Sequence, residues 1–254
     1  MNHVIFNGTD LTTFGLYVSG DKTFNAPEKN YTKVSIPGRS GDLFIWDGTY
    51  KNVDLKYDSI LINNFETNAA SLRNYLLSQE GYVRLEDDYH PNEFRMAVYT
   101  GPLEFKPVRL LAGKATLEFN CRPERFLKSG ELFTAMTDTT LVFTNPTPNP
   151  SHPLIKITSF NSDVTFTYWD NTMVDPTYGP QGKNFTVGSW LNPEDLYIDF
   201  ETLECYDSVG DKQNQQLTFD FDNPLPVIPG NGSLTLLVSS SYSSVSVAPR
   251  WYLL

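Results

Sequence analysis

Hydrophobic and polar residues alternate along much of this 254-residue chain. Val53, Leu55 and Tyr57 alternate with charged residues, and residues 115–121 repeat the pattern. A period of two places successive side chains on opposite faces of a strand. The pattern therefore predicts strands that bury one face.

A hairpin is predicted where residues 82–86 and 93–99 flank the turn-forming segment 87–92. Phe94, Met96 and Val98 alternate with other residues in the second strand. We expect these three side chains to share the buried face.

One helix is predicted, over about residues 68–79. The prediction rests on apolar residues at helical spacing, namely Ala69, Leu72, Leu76 and Leu77. Thr67 or Asn68 can cap its start and Gly81 can end it.

The composition changes between residues 141 and 153, where four prolines fall within ten residues. Proline fixes φ and lacks a backbone donor, so this segment is interpreted as a semi-rigid linker. The sequence thus predicts a first domain over residues 1–140 and a second over 141–254. Seven or more short apolar runs follow the linker and indicate a β-sandwich.

The chain is acidic, with a formal charge of −11. Residues 1–140 hold 15 basic and 18 acidic side chains, and residues 141–254 hold 4 and 12. Binding to nucleic acid rests on Lys and Arg at phosphates, so stable nucleic-acid binding is not expected. No run of about 18 apolar residues and no signal peptide are present, so we expect no membrane insertion and synthesis in a cytoplasm.

Two cysteines, Cys121 and Cys205, lie in strand-like runs of different halves. Buried free thiols are favoured over a disulfide. Two cysteines so far apart do not make a zinc site.

Sequence motifs for nucleophilic, phosphate-binding or zinc chemistry are missing. His3, His90 and His152 have no partner at a catalytic or metal-binding spacing, and Ser40 is interpreted as part of a tight turn between Gly38 and Gly41. An acidic cluster could bind calcium or supply paired carboxylates for glycoside cleavage, but a solvated strand face is the favoured interpretation. Its members are Glu194, Asp195, Asp199 and Glu201. We assign no catalytic, cofactor or metal residue, and predict that the protein is not an enzyme.

Aromatic residues suggest an alternative function, a carbohydrate-binding module. Trp169 and Trp190, with Tyr168, could stack on a sugar ring, although core positions also explain them. We expect at most weak sugar binding.

Several sequence blocks, in order over nearly the whole chain, resemble the distal tail protein (Dit) family of siphophages that infect Gram-positive bacteria. They are Phe6-Asn7-Gly8-Thr9-Asp10-Leu11, Ile36-Pro37-Gly38-Arg39-Ser40-Gly41-Asp42-Leu43, Asp47-Gly48-Thr49-Tyr50-Lys51-Asn52-Val53, Phe119-Asn120-Cys121-Arg122-Pro123, Pro153-Leu154-Ile155-Lys156-Ile157, Ile228-Pro229-Gly230 and Pro249-Arg250-Trp251-Tyr252.

The resemblance implies a mainly β fold, with an N-terminal β-rich domain carrying one α-helix and a C-terminal sandwich of galectin-like or carbohydrate-module-like type. It implies a structural virion protein at the tail tip, assembled as a hexameric ring around a DNA channel. The implied partners are further copies of the chain, the tail-tube protein, the tail-associated fibre or lysozyme-like protein, and receptor-binding or other baseplate proteins.

Contact residues for such a ring are expected in the block at residues 36–43 and in the loop 88–92. The candidates in the block are Ile36, Pro37, Gly38, Arg39 and Gly41. The chain is too short for the inserted carbohydrate module of larger members, so separate receptor-binding proteins are expected to recognise the host. The channel wall is expected not to be strongly basic.

Overall fold

The computed structural model describes residues 2–19, 25–108, 111–158, 160, 162–170, 174–175, 179–180, 182–188, 195–219, 225–238 and 244–254. The chain divides into two compact units, Met1–Arg125 with Leu254, and Phe126–Leu253. This division falls before the expected position at residues 140/141. The reason is that Thr134–Ala135 and Thr140–Thr144 are strands that pair with strands of the second unit.

The described part of unit 1 is a twisted antiparallel sheet with one α-helix. Its strands are β1 (Val4–Phe6), β2 (Thr9–Asp10), β3 (Leu16–Val18), β4 (Lys29–Ser35), β5 (Asp42–Tyr50), β6 (Val53–Ile62), β7 (Val83–Asp87), β8 (Glu93–Tyr99), β9 (Lys106–Val108) and β10 (Ala112–Cys121). The main sheet has the order β2-β1-β7-β8-β10-β6-β3, β9 pairs with β10, and β4 and β5 form a separate two-stranded sheet. A 3₁₀ helix covers Leu11–Phe14.

Helix α1 covers Phe65–Leu77, three residues earlier at its start than predicted. Asn63 and Asn64 have φ of 61° and 39°, and their left-handed turn leads β6 directly into the helix. Asparagine tolerates this conformation better than most residues. Ala69, Leu72 and Leu76 are buried as predicted, but Leu77 is 68% exposed because it lies beyond the buried stripe.

The hairpin of β7 and β8 is confirmed, but the predicted face of β8 is wrong. Phe94, Arg95 and Ala97 are buried, whereas Met96 and Val98 are only half-buried. Ala97 joins the unit 1 core, which includes Phe6 and Phe119. The buried guanidinium of Arg95 donates to Asn25 Oδ1 at 3.1 Å.

Unit 2 is a β-sandwich, as the strand pattern predicted. Its strands are β11 (Arg125–Leu127), which begins on the last residue of unit 1, β12 (Thr134–Ala135), β13 (Thr140–Thr144), β14 (Leu154–Thr158), β15 (Val164–Asp170), β16 (Val174–Asp175), β17 (Gly179–Pro180), β18 (Lys183–Val187), β19 (Asp195–Asp199), β20 (Glu204–Asp207), β21 (Leu217–Phe219), β22 (Ser233–Val238), β23 (Ser244–Ala248) and β24 (Tyr252–Leu253). Two five-stranded sheets, β12-β23-β14-β19-β20 and β13-β22-β15-β18-β21, contribute side chains to one core. Short 3₁₀ helices cover Lys128–Gly130 and Asn214–Gln216.

The proline-rich segment lies inside unit 2. Asn145 and Thr147 are 2% and 1% exposed, and Asn145 Oδ1 accepts hydrogen bonds from the backbone and hydroxyl of Thr147. Ser151 and Ile228 exchange backbone hydrogen bonds of 2.9 and 2.8 Å. These bonds replace the strand pairing that proline prevents, so the segment connects the two sheets of the sandwich.

A fragment of residues 126–254 is expected to unfold in one cooperative transition, because it contains every strand of both five-stranded sheets. A fragment beginning at residue 149 lacks β12 and β13 and leaves edges of both sheets uncovered. It should melt broadly or at a clearly lower temperature. Calorimetry on both fragments checks this, and a sharp, equally stable transition for the shorter fragment would contradict it.

Both cysteines are free and buried, as predicted. Burial raises the pKa of Cys121 and of Cys205 to about 12. The thiolate is the reactive form, so both should resist iodoacetamide at about pH 8 until the protein is unfolded. Mass spectrometry of native and urea-treated samples checks this, and alkylation of either residue in the native protein would contradict it.

None of the described helices is long and apolar enough to cross a membrane.

Candidate assembly surface

A hairpin of residues 29–50, here called the arm, emerges from unit 1 between β3 and β6. Its strands β4 and β5 pair only with each other among the described strands. None of its side chains belongs to the described members of either hydrophobic core. Isolated two-stranded hairpins are marginally stable in water, so an arm of this kind calls for a partner surface.

The arm exposes large apolar side chains to an unusual degree. Exposed fractions of 36–53% are found at Tyr31, Val34, Ile36, Leu43, Phe44, Ile45 and Trp46. Single exposed apolar residues are normal, but a contiguous set is typical of an interaction site.

The two faces of the arm differ in chemistry. The pairs Tyr31–Trp46 and Thr32–Ile45 are cross-strand neighbours and therefore lie on opposite faces. One face is aliphatic, with Val34 paired to Leu43 beside Ile45.

The other face is aromatic and carries lysines. The rings of Tyr31 and Phe44 meet edge to face with centroids 5.6 Å apart. The ammonium groups of Lys29 and Lys33 lie 4.5 Å from the Trp46 ring and 5.2 Å from the Phe44 ring, respectively. The lysines therefore cover the aromatic face.

The predicted contact residues lie at the tip of the arm. Arg39 donates its backbone N–H to the Ile36 carbonyl at 3.2 Å, and Gly38 has φ of 81°. Proline followed by a residue of positive φ is the signature of a type II turn, here with Pro37 at its first central position. Gly41 has φ of 87° and, like Ser40, belongs to the turn.

The base of the arm is fixed by local hydrogen bonds. Asp47 accepts from the backbone and hydroxyl of Thr49 at 2.8 and 2.7 Å, and the Thr49 hydroxyl bonds lower the pKa of the exposed Asp47 carboxyl. Trp46 donates its indole N–H to the Thr49 carbonyl at 3.0 Å. Lys51 donates its backbone N–H to the Glu28 carbonyl and also forms a 3.2 Å ion pair with the Glu28 side chain.

The loop 88–92, the second predicted contact, is tied to its own chain. Asp88 accepts from the backbone of His3 at 2.9 Å, and the imidazole of His3 lies 2.8 Å from Asp88 and 2.7 Å from Asp10. His90 lies 3.3 Å from Asp87. These histidines attach the loop to the residue before β1 and to the end of β7.

Each described member of the acidic cluster is paired with a basic side chain. Asp199 is 7% exposed, so its interpretation as a solvated strand residue is wrong. Arg250 donates to both Asp199 oxygens, at 2.7 and 2.8 Å. Glu201 lies past the end of β19 and pairs with His152 at 2.9 Å, Asp195 pairs with Lys156 at 2.6 Å, and Glu194 lies outside the described residues.

Metal ligands are likewise not assembled in the part of the chain that the structure describes, where no group of three His, Cys, Asp or Glu side chains has suitable geometry.

The two tryptophans proposed for sugar stacking differ in outcome. Tyr168 is buried in the sandwich core, whereas Trp169 is half-buried and lies on the outward side of β15, opposite Thr235 of β22. Trp190 lies outside the described residues.

Comparison with solved structures gives a match over the whole chain. The structure is similar to the crystal structure of the SPP1 Dit (gp 19.1) protein, described as a paradigm of the hub adsorption apparatus in Gram-positive infecting phages. The TM-score is 0.70, both chains are covered completely, and the sequence identity is 16%. This chain has the Dit fold. The mainly β architecture and the resemblance seen in the sequence are thereby confirmed at the level of the fold. No protein-family model and no curated protein sequence matches the chain.

The sequence motif marked the tip of the arm, but the strands of the arm were not predicted. The sequence feature that could have revealed these strands is the uninterrupted run Leu43-Phe44-Ile45-Trp46, which is apolar on both faces of a strand. Such a run is typical of a strand covered on both sides. Here nothing in the described chain covers it.

Proposed function

We propose that this chain is the hub protein of a phage tail tip, and that its arm joins copies into a closed ring of six. The exposed apolar arm on a chain of Dit fold is the observation that carries the proposal. In a ring, every copy contributes two different surfaces, one that contacts the preceding copy and one that contacts the next. The ring closes when the rotation between neighbours brings the last copy back to the first.

The arm is one of these two surfaces. Its aliphatic face would become buried against the neighbouring copy, and its free strand edges offer unpaired backbone groups. Complete burial of a Leu, Val or Ile side chain contributes roughly 1.5–3 kcal/mol. Val34, Leu43 and Ile45 are 39%, 42% and 50% exposed in the single chain, so each can contribute up to about half of that on contact.

In this proposal the ring joins the tail tube to the tail fibre or baseplate, receptor-binding proteins attach to it, and DNA leaves through its channel at the virion tail tip. The acidic balance of the chain supports a channel that releases DNA, because gripping a duplex requires clustered Lys and Arg. The proposed role is structural and involves no catalysis.

Mass measurement by light scattering, with electron microscopy of the same sample, tests the proposal. We expect a particle of six copies with a central opening, formed either alone or on adding the tail-tube and tail-fibre proteins. A strict monomer under all of these conditions would refute the ring.

A further inference from the structure

The described outward positions of one sheet of the sandwich carry no charged side chain. We call the outward positions of β13, β22, β15, β18 and β21 the neutral face. Burial alternates along each of these strands, so its twelve members point away from the core. They comprise seven threonines, one serine, one asparagine, Val142, Leu237 and Trp169.

The absence of charge on this face is unusual for a protein surface. Charged residues make up 19% of this chain, so about two of twelve positions would be charged on average. The outer face of the opposite sheet does carry charges, including the ion pair of Lys156 and Asp195 and the side chain of Glu204.

The neutral face is an ordered array of hydroxyl groups around one indole. Thr165, Thr186 and Thr218 are directly opposite one another on three neighbouring strands, and the hydroxyls of Thr165 and Thr186 are 3.1 Å apart. Val142, Thr235 and Trp169 form a parallel row across three strands. Adjacent rows lie one two-residue step apart along the strands, so the hydroxyls repeat regularly.

Space is left open beside the indole. A Cβ at Gly182 would lie 3.8 Å from Trp169 Cε3 and 2.6 Å from Thr167 Cγ2, so only glycine leaves this flank free. Val142, in the same row as Thr235, is 57% exposed, and Leu237, in the adjacent row, is 36% exposed.

We propose that the neutral face binds an uncharged polysaccharide. The indole of Trp169 would stack on the C–H face of a sugar ring, and the threonine hydroxyls would exchange hydrogen bonds with sugar hydroxyls. An uncharged face matches an uncharged polymer, since neither loses a solvated ion on contact.

The composition favours a polysaccharide over a protein partner. Cores of protein interfaces are enriched in Tyr, Trp, Phe, Met and Arg and depleted in Ser, and their strongest contacts are aromatic or Arg anchors. The neutral face has one aromatic residue, no Met and no Arg, and two thirds of its members carry hydroxyls. A single site should be weak, in agreement with the weak sugar binding expected from the sequence, and a ring of copies would multiply it.

Native gel electrophoresis of the full chain through gels containing a polysaccharide tests the proposal. The probes are amylopectin, dextran, hydroxyethylcellulose and galactomannan, with polygalacturonate as the charged comparison. We expect at least one neutral probe to retard the protein, and raising the salt concentration to leave the retardation unchanged, because no charges take part.

Trp169→Ala should lower the apparent association constant about tenfold. Thr167→Arg, which places a long charged side chain beside the indole, should do the same without deleting any apolar group. Tyr206→Ala on the outer face of the opposite sheet is the control and should bind as the parent does. Melting curves establish that each variant is folded.

Retardation by none of the four neutral probes, or equal retardation of the parent and both variants, would overturn the proposal. Self-association of the parent that Trp169→Ala abolishes would overturn it in favour of a protein contact. The neutral face shares no residue with the arm, so Trp169→Ala should leave the particle mass unchanged. A failure of the sugar-binding proposal is therefore distinguishable from a failure of the ring.

Discussion

Replacing both Leu43 and Ile45 by lysine is expected to convert the assembled ring into monomers while leaving both units folded. These residues lie on the aliphatic face of the arm and are 42% and 50% exposed in the single chain. Each replacement removes the apolar burial still available at the contact, roughly 0.7–1.5 kcal/mol or half of the value for complete burial, and places an unpaired ammonium group there. Because six contacts close the ring, a loss of this size at each one shifts assembly by many orders of magnitude.

Particle mass and thermal melting, measured on the same preparation, check this prediction. With both proteins diluted until they are monomeric, the melting temperature should differ by no more than about 2 °C, since neither residue belongs to a core. Val209→Lys is a matched control, because Val209 is 75% exposed in a loop of unit 2. A double variant that still forms particles of the parent mass would show that the arm is not the ring contact. A large fall in melting temperature would show that the arm packs on its own chain.

Replacing Arg250 by methionine is expected to destabilise unit 2 by about 3–5 kcal/mol, the range found when one partner of a buried ion pair is removed. The side chains of Asp199 and Arg250 are 9% and 26% exposed. Arg250 lies between β23 and β24, so its bidentate bond fixes the C-terminal segment to the end of β19. Without the guanidinium, the Asp199 carboxylate stays buried with only the backbone N–H groups of Glu201 and Thr202 as partners.

Chemical denaturation of the parent and the variant measures the loss. Lys212→Met is the control, because the pair of Lys212 and Glu204 is largely exposed and should contribute at most about 1 kcal/mol. Adding Asp199→Asn to the Arg250→Met variant should recover part of the lost stability, since no buried charge remains unpaired. A loss of stability at Arg250 no larger than at Lys212 would contradict the assignment.

The pH dependence of this pair follows from the pKa of Asp199. Burial alone would raise that pKa, but the hydrogen bonds and charge of Arg250, with the backbone N–H groups of Glu201 and Thr202, lower it below its ordinary value. The ionised carboxylate therefore stabilises the folded protein above the unfolded pKa, near 3.9. This stability is lost as the pH falls through the lower, folded pKa. In the Arg250→Met variant, protonation relieves the unpaired charge, so the gap in stability between parent and variant should narrow in acid.

The sequence by itself determined the local structure wherever alternation and position agreed. Val53, Leu55 and Tyr57 are buried in β6 because a strand has one fixed period and the charged residues between them can only point outward. The apolar runs after residue 153 became strands of a sandwich for the same reason. Pro37 and Gly38 specified their turn because each restricts or permits particular values of φ.

The tertiary structure alone decided which polar residues are buried and which apolar residues are exposed. Asp199 can be buried because Arg250, 51 residues away in the sequence, donates hydrogen bonds to its carboxylate. No local sequence pattern predicts that pairing. On β8, Arg95 and Ala97 are buried and Met96 and Val98 are only half-buried. The pairing of β8 with β7 and β10 sets which face of the strand meets the core. The run from Leu43 to Trp46 has the sequence of a covered strand, yet it stays exposed because no other element of the described chain reaches it. Burial depends on contacts between distant parts of the chain, and for the arm we propose that it depends on contact with a neighbouring copy.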